Sequence, residues 1–307
     1  MKTGFKRALG LAITVGLLAW VLAGARWSEL AAALSRISAS DLMLATAAFT
    51  ASYLLRAGRV HDEFAADTGA SYARVLRLTL LHNASINVLP FRSGEAAFPI
   101  LLNRWFGVTT TRAVVALLWL RIQDAFVVLA LAAFVWPGLP AALRALWIAL
   151  VCVAAWAIPA WARRHPAEQA SGGRFTQTIH RVRAALAQST RRSLRGWLWT
   201  LANWSVKLAA QAWLLGALLQ TSLSTGMSGA LGVELAAILP IQGVAGFGTY
   251  EAGGAALLAA HGIPFAGGLS AALALHLFVI ALALLAGGLA LAFLPGAQAD
   301  SKSETPS

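Results

Sequence analysis

The stretch "NVLPFRSGEAAFPILL", residues 87–102, gives the first indication of the fold, because it places two charges in an apolar region. Arg92 and Glu95 stand between Pro90 and Pro99, and prolines break this region into short limbs. A limb of about 12–15 residues makes roughly 18–22 Å of helix, whereas the hydrocarbon core of a bilayer is about 30 Å thick. The stretch therefore predicts a re-entrant helical hairpin, which enters the membrane and returns to the same side.

The whole chain has the composition of an integral membrane protein. Of its 307 residues, 59% are hydrophobic and 12% are charged, and the mean hydropathy is +0.69. Soluble domains are about half apolar and about a quarter charged, so that class is excluded. We expect an all-α protein with about six transmembrane helices, the first of them retained rather than cleaved as a signal peptide. The apolar runs lie near 8–24, 42–57, 113–136, 145–161, 196–220 and 267–294.

The distribution of basic residues predicts the orientation and explains the net charge of +12. Cytoplasmic loops of membrane proteins collect Lys and Arg. With the N-terminus in the cytoplasm, most basic residues fall inside, including Arg56, Arg59, Arg112 and the 163–195 cluster, while residues 220–264 contain neither Lys nor Arg. We expect a multi-pass protein of the bacterial inner membrane with both termini cytoplasmic, and no nucleic-acid partner.

A second stretch, "LPIQGVAGFGTYEAGGAALL" at residues 239–258, repeats the pattern of the first. Glu95-Ala96 is followed by Leu101-Leu102, and Glu251-Ala252 is followed at the same spacing by Leu257-Leu258. We therefore predict two re-entrant hairpins on opposite sides of the membrane. Their turns are expected at Pro90, Gly94, Pro240, Gly243, Gly246 and Gly248.

Two hairpins in equivalent places predict an inverted-topology repeat, an arrangement in which transporters place the substrate site at the interface of the repeats. The pseudo-repeats are residues 1–137 and 138–294 of a single membrane domain, 1–294. The second contains the basic cytoplasmic loop 162–195, which forms either an interfacial helix or a solvated segment. Residues 295–307 are expected to form a disordered cytoplasmic tail.

Several ionisable residues stand inside apolar segments, where each costs about 2.5–3.5 kcal/mol on an insertion scale. Such residues are functional candidates, although they can also form salt bridges that only fix helix packing. His276 is either a proton-relay partner or a satisfied core histidine. The candidate substrate-binding and translocation residues are Arg92, Glu95, Arg121, Asp124, Lys207, Glu251 and His276, with Glu234 beside the second hairpin.

The chain also carries three segments in order: "LPFRSGEAAFPILLNRWFGV", "LWLRIQDAF" and "LPIQGVAGFGTYEAGGAALL". These segments resemble the lysylphosphatidylglycerol synthase transmembrane family, also called flippase-like. The resemblance implies a stand-alone lipid translocator without the family's aminoacyltransferase activity, moving a phospholipid, an aminoacylated lipid or a hopanoid-like lipid. Phe98 and His276 stand where that family usually carries Arg, which leaves the charge of the head group open.

Two other classes of function remain open. One is an accessory or structural membrane protein that supports a lipid-modifying enzyme. The other is an intramembrane serine hydrolase, because Ser93-Gly94 and His276 resemble the Ser–His dyad of rhomboid proteases, although Phe91 stands where their first glycine belongs. Without clustered metal ligands or a nucleotide-binding loop in the sequence, we expect no catalytic residues, no metal and no cofactor.

Overall fold

The computed structural model describes residues 31, 35, 37–136, 138–163, 174–190, 193–238 and 244–296. The side chains of a few helical residues, Arg92 among them, lie outside this description, as do the first apolar run at 8–24 and the tail from 297. All regular structure in the described ranges is helical, which confirms the all-α class. The helices are α1 (Ala39–Thr68), α2 (Tyr72–Val88), α3 (Ala97–Phe106), α4 (Thr110–Val135), α5 (Ala141–Arg163), α6 (Arg174–Ser189), α7 (Ser193–Leu219), α8 (Leu223–Ile238), α9 (Thr249–Ala259) and α10 (Phe265–Phe293).

Among the described helices, α4, α5 and α10 are long and apolar enough to cross a membrane. They have 26, 23 and 29 residues, and about 20 residues suffice to span the hydrocarbon core. α1 and α7 are as long, but they carry more polar residues that face other helices. The protein is therefore a multi-pass membrane protein.

The boundaries of α1 follow from its end residues. At the start, the Ser38 hydroxyl accepts a hydrogen bond from the Asp41 amide at 3.1 Å, and the Asp41 carboxylate accepts one from the Ser38 amide at 3.3 Å. This capping box satisfies amides that have no partner within the helix. At the end, Gly69 takes the left-handed conformation (φ 61°), which glycine adopts without steric cost.

The first predicted hairpin consists of α2, a 3-10 segment (Pro90–Ala96) and α3. α3 has 10 residues, about 15 Å of helix, and is too short to cross a membrane. Gly94 lies so close to α2 that a side chain there would collide with the carbonyl of Ser85. Pro90 and Gly94 lie in the joint, the segment between α2 and α3, whereas a re-entrant turn at this place in the membrane stays a prediction.

The second predicted hairpin consists of α8, a 3-10 segment (Val244–Gly246) and α9. Its predicted turn residues Pro240 and Gly243 lie outside the described residues, while Gly246 and Gly248 both have φ 86° in the joint. α8 and α9 pack closely, since a side chain at Gly232 would collide with the carbonyl of Gly253. The 3-10 segments of the two hairpins contact each other.

The order of long and short helices recurs along the chain. α1, α2, α3 and α4 are followed, after α5 and α6, by α7, α8, α9 and α10 with the same sequence of long, short, short and long. Packing is also reciprocal, because α2 packs on α10, α8 packs on α4, and α1 packs on α7. This order is the one that the predicted repeat requires, and its inverted orientation in the membrane stays a prediction.

The basic loop contains a helix. α6 packs against α4 and α5, and the Arg183 guanidinium lies 5.2 Å from the centroid of the Trp161 ring. Of the two interpretations of this loop, the helical one is confirmed. Its location at a membrane interface stays a prediction.

Candidate functional site

The first polar cluster joins α4 to the joint of the first hairpin. Arg121 and Asp124 stand three residues apart on α4, and Glu95 lies near the end of the 3-10 segment. Arg121 Nη2 is 2.7 Å from Glu95 Oε1, and Arg121 Nη1 is 3.3 Å from Asp124 Oδ2. Three of the residues predicted from sequence are therefore in one ion-pair network.

Arg59 of α1 completes this cluster, and sequence analysis had assigned it to the cytoplasmic side. Its guanidinium lies 2.7 Å from Asp124 Oδ1 and donates to the Leu120 carbonyl and to Gln123 Oε1, both at 2.8 Å. The side chain is only 5% exposed. No sign of this burial was visible in the sequence, because the polar residues 61–63 follow Arg59 closely.

Arg112, also counted as a cytoplasmic charge, is likewise buried. It pairs with Glu63 at 2.7 Å and donates to the Ser189 hydroxyl at 2.6 Å. Arg112 thereby ties α4 to α1 and to the end of α6. The positive-inside rule counts residues along the chain and does not distinguish a buried arginine from one in water.

Exposure separates the two ion pairs of the first cluster. The side chains of Arg121 and Glu95 are 33% and 26% exposed, whereas those of Arg59 and Asp124 are 5% and 13% exposed. Asp124 also accepts a hydrogen bond from the Trp204 indole at 3.0 Å. The Arg59–Asp124 pair is therefore a buried support, and the Arg121–Glu95 pair is the part that a ligand can reach.

His82 and Phe98 lie beside Glu95. His82 Nε2 is 3.3 Å from Glu95 Oε2, and the imidazole packs against the Phe98 ring with 5.1 Å between centroids. Phe98 also packs against Phe64. Phe98, which stands where the resembled family usually has an Arg, thus makes an aromatic contact next to the Glu95 carboxylate.

The second polar cluster joins α7 to α8. Lys207 Nζ is 2.7 Å from Glu234 Oε1, and the Gln211 amide donates to the same carboxylate at 2.6 Å. Gln211 also donates to the Tyr250 hydroxyl at 3.3 Å. Glu234 and Gln211 are buried, whereas a quarter of the Lys207 side chain is exposed.

The third pair joins α9 to α10. His276 Nδ1 is 2.6 Å from Glu251 Oε1, and the other carboxylate oxygen accepts a hydrogen bond from the Gly248 amide at 2.6 Å. The imidazole lies between the rings of Tyr250 and Phe247, with centroid distances of 4.2 and 4.6 Å. Both members of the pair are buried, and the pair holds the second joint against α10.

Trp204 connects the first cluster to the second. Its indole nitrogen donates to Asp124, while Lys207 Nζ lies 4.5 Å from its ring centroid. A cation over an indole face is an attractive contact. The chain therefore brings Glu95, Arg121, Asp124 and Lys207 into connected polar clusters, and Glu251 with His276 into a neighbouring pair.

An apolar groove lies between the first hairpin and α10. Its volume is about 660 Å³, within the range of ligand-binding sites. Ser93 and Ala96, which flank Glu95 closely in sequence, line it together with Ser85. The remaining lining is mainly aliphatic, from Leu81, Ile100, Leu284 and Leu291. No cluster of three His, Cys, Asp or Glu side chains suited to a metal ion occurs within the described ranges.

In the comparison with protein families, the family model described as the lysylphosphatidylglycerol synthase TM region matches residues 7–287. Neither a curated protein nor a solved structure matches the chain significantly.

Proposed function

The chain belongs to the lysylphosphatidylglycerol synthase TM region family, and we propose that it binds a lipid by its head group and moves it between bilayer leaflets. The family and the apolar helices make it a multi-pass membrane protein linked to lipid handling. We also propose that the cargo is a lipid, that the activity is translocation and that the protein lies in the bacterial inner membrane.

The observation that carries the proposal is the partly exposed Arg121–Glu95 pair in an apolar bundle. A buried ion pair repays the cost of leaving water only when its geometry is good and further hydrogen bonds satisfy its remaining donors and acceptors. Arg121 is instead 33% exposed, although charges in such a segment are costly. A polar pair left accessible at this depth fits a site that exchanges its internal partner for a ligand.

The two charges of this pair match the two charges of a zwitterionic or aminoacylated head group. An Arg guanidinium binds phosphate oxygens through two parallel hydrogen bonds, and a carboxylate accepts from an ammonium group. We assign the phosphate to Arg121 and the amine to Glu95. Asp124 and Arg59 hold Arg121 in place from the buried side.

The apolar groove offers a place for hydrocarbon, and its lining residues Ser93 and Ala96 are close to Glu95 in sequence. Its serines and backbone lie at the first joint, and its aliphatic residues extend along α10. A lipid whose head group reaches Arg121 would thus keep its acyl chain in contact with Leu284 and Leu291. We propose that Arg92, Lys207 and Glu251 contact the head group or gate its passage as the hairpins move.

The proposal is tested by leaflet exchange of fluorescent phospholipids in liposomes that contain the purified protein, read by dithionite quenching. Arg121→Ala is expected to slow exchange about tenfold or more, because it removes a charge-assisted contact. Arg195→Ala is the matched control, since Arg195 is 70% exposed and pairs only at 3.3 Å with Asp62. Equal insertion of all variants is verified by quantifying protein in the liposomes.

The proposal is supported if wild type exchanges lipid between leaflets, Arg121→Ala abolishes this exchange and Arg195→Ala preserves it. Equal exchange by all three proteins refutes the assignment of the site. The accessory role is the second candidate, favoured by the buried Arg59–Asp124 pair, which links α1 to α4. Absence of exchange for every head group, with Arg121→Ala lowering only the folded yield, would select that role.

A further inference from the structure

The two halves of the chain place a basic side chain at the same position of the helix that follows each hairpin. Gly107 (φ 67°) ends α3, Gly262 (φ 79°) follows α9, and the next helix begins three residues after each glycine. Arg121 is the twelfth residue of α4, and His276 is the twelfth residue of α10. These two residues are therefore structural equivalents.

Each of them binds the carboxylate of the hairpin that precedes it. Arg121 lies 2.7 Å from Glu95, and His276 lies 2.6 Å from Glu251. A guanidinium stays protonated at all pH values that proteins meet. An imidazole changes its charge between about pH 5 and pH 8. The positive charge of the first ion pair therefore does not depend on pH in this range. The second pair is an ion pair only while His276 carries a proton.

The surroundings of His276 leave Glu251 as its ionic partner among the described residues. On the helices packed around α10, Glu234 is neutralised by Lys207, His82 contacts Glu95, and Arg77 donates to the Leu294 carbonyl. Glu251 and Tyr250 on α9 contact the imidazole. Titratable groups on the other helices packed against α10 include Glu234 on α8, Lys207 on α7, and His82 and Arg77 on α2.

We propose that His276 and Glu251 form a proton-binding site and that lipid movement is coupled to its occupancy, an inference that rests on the proposed function. With the proton bound, the imidazolium holds Glu251, and with it the second joint, against α10. When the proton passes to water, the imidazole becomes neutral, and the ion pair with Glu251 is replaced by a weaker hydrogen bond from a neutral ring N–H. The second hairpin is then held less firmly against α10.

Movement of the second joint reaches the lipid site through direct contact. The 3-10 segments of the two hairpins touch, and the second segment also contacts α2, which carries His82 beside Glu95. Release of the second hairpin therefore changes the packing next to the Arg121–Glu95 pair. Proton release at one hairpin is in this way connected to head-group access at the other.

The test measures lipid exchange in liposomes at equal internal and external pH from pH 5 to pH 8. Wild type is expected to exchange lipid about tenfold faster at the upper limit, because the charge-assisted hydrogen bond becomes a weaker neutral one. His276→Arg keeps a fixed charge and should be slow at every pH, and His276→Asn should be pH-independent. His261→Asn is the control, since His261 bonds Ser228 in the turn after α9 and should leave the pH dependence intact.

A second measurement follows the imidazole directly. Nuclear magnetic resonance of histidine-labelled protein in nanodiscs reports ring protonation, and His276→Asn identifies the signal of His276. A ring that gains a proton within this pH range supports the site, and a ring with constant protonation overturns it.

The coupling is overturned if lipid exchange by wild type does not depend on pH. It is also overturned if exchange by His276→Arg depends on pH as strongly as exchange by wild type. In both cases the proposed function stands. Absence of all exchange overturns the proposed function and the coupling, and the ring titration then still decides the proton site.

Discussion

Replacement of Asp124 by Asn tests whether the buried part of the first cluster supports the fold. Asparagine has nearly the same shape as aspartate, so the substitution removes the charge and leaves little change in volume. Asp124 pairs with Arg59 at 2.7 Å, pairs with Arg121 at 3.3 Å and accepts from the Trp204 indole at 3.0 Å. The variant therefore leaves a guanidinium that is 5% exposed without its carboxylate.

The size of the effect follows from the contacts that remain. Removal of one partner of a buried pair costs about 3–5 kcal/mol. Arg59 keeps two acceptors, the Leu120 carbonyl and Gln123 Oε1, and a hydrogen bond to a charged group contributes about 1.5–3 kcal/mol. We therefore expect Asp124→Asn to lower the free energy of unfolding by about 2–4 kcal/mol.

The assay is reversible unfolding by a denaturing detergent in mixed micelles, followed by tryptophan fluorescence. Asp62→Asn is the matched control, because its partner Arg195 is 70% exposed and surface pairs contribute about 0–1 kcal/mol. The reasoning is refuted if Asp124→Asn and Asp62→Asn change the free energy of unfolding equally. It is also refuted if Asp124→Asn is stabilising.

Two further predictions concern the first joint and the membrane-facing helix. Gly94→Ala should reduce the folded yield and lipid exchange, because the new methyl group collides with the Ser85 carbonyl; Gly267→Ala meets no atom within 4 Å and should behave as wild type. Equal yields of the two variants, measured by size-exclusion chromatography, would contradict the close approach at the joint. Cys152, which is exposed on the apolar helix α5, should react slowly with a charged maleimide in liposomes and faster after unfolding, since the thiolate forms poorly in hydrocarbon. Rapid labelling in intact liposomes would place this part of α5 in water.

The sequence pointed to inward-facing charges where their energetic cost made them conspicuous. Glu95, Arg121 and Asp124 stand in apolar segments, and the insertion cost alone identifies them as inward-facing. The i, i+3 spacing further predicted the contact of Arg121 with Asp124, which the structure shows at 3.3 Å. Repetition of the Glu-Ala and Leu-Leu pairs predicted that Glu95 and Glu251 belong to similar hairpins.

The partners of these residues could not be predicted in the same way. Arg59 lies near Asp62 and Glu63 in a segment whose composition resembles a loop, and only the arrangement of the helices in the bundle brings it to Asp124 on α4. The sequence left His276 with two interpretations, because the distance between α9 and α10 is not fixed by helical periodicity. Its contact with Glu251 depends on the course of the chain through the turn at Gly262.

The division of ion pairs between the halves of the chain bears on how the protein is made. Arg59, Arg121 and Arg112 pair with carboxylates of the first half, whereas Lys207 and His276 pair with carboxylates of the second. In the described pair that crosses between halves, the Arg195 side chain is 70% exposed and that of Asp62 is 18% exposed. During synthesis, the first four described helices can thus leave the translocon with these charges already compensated, before the later helices have been translated. Each half can then insert without leaving a buried charge unpaired in lipid until the other half has been translated.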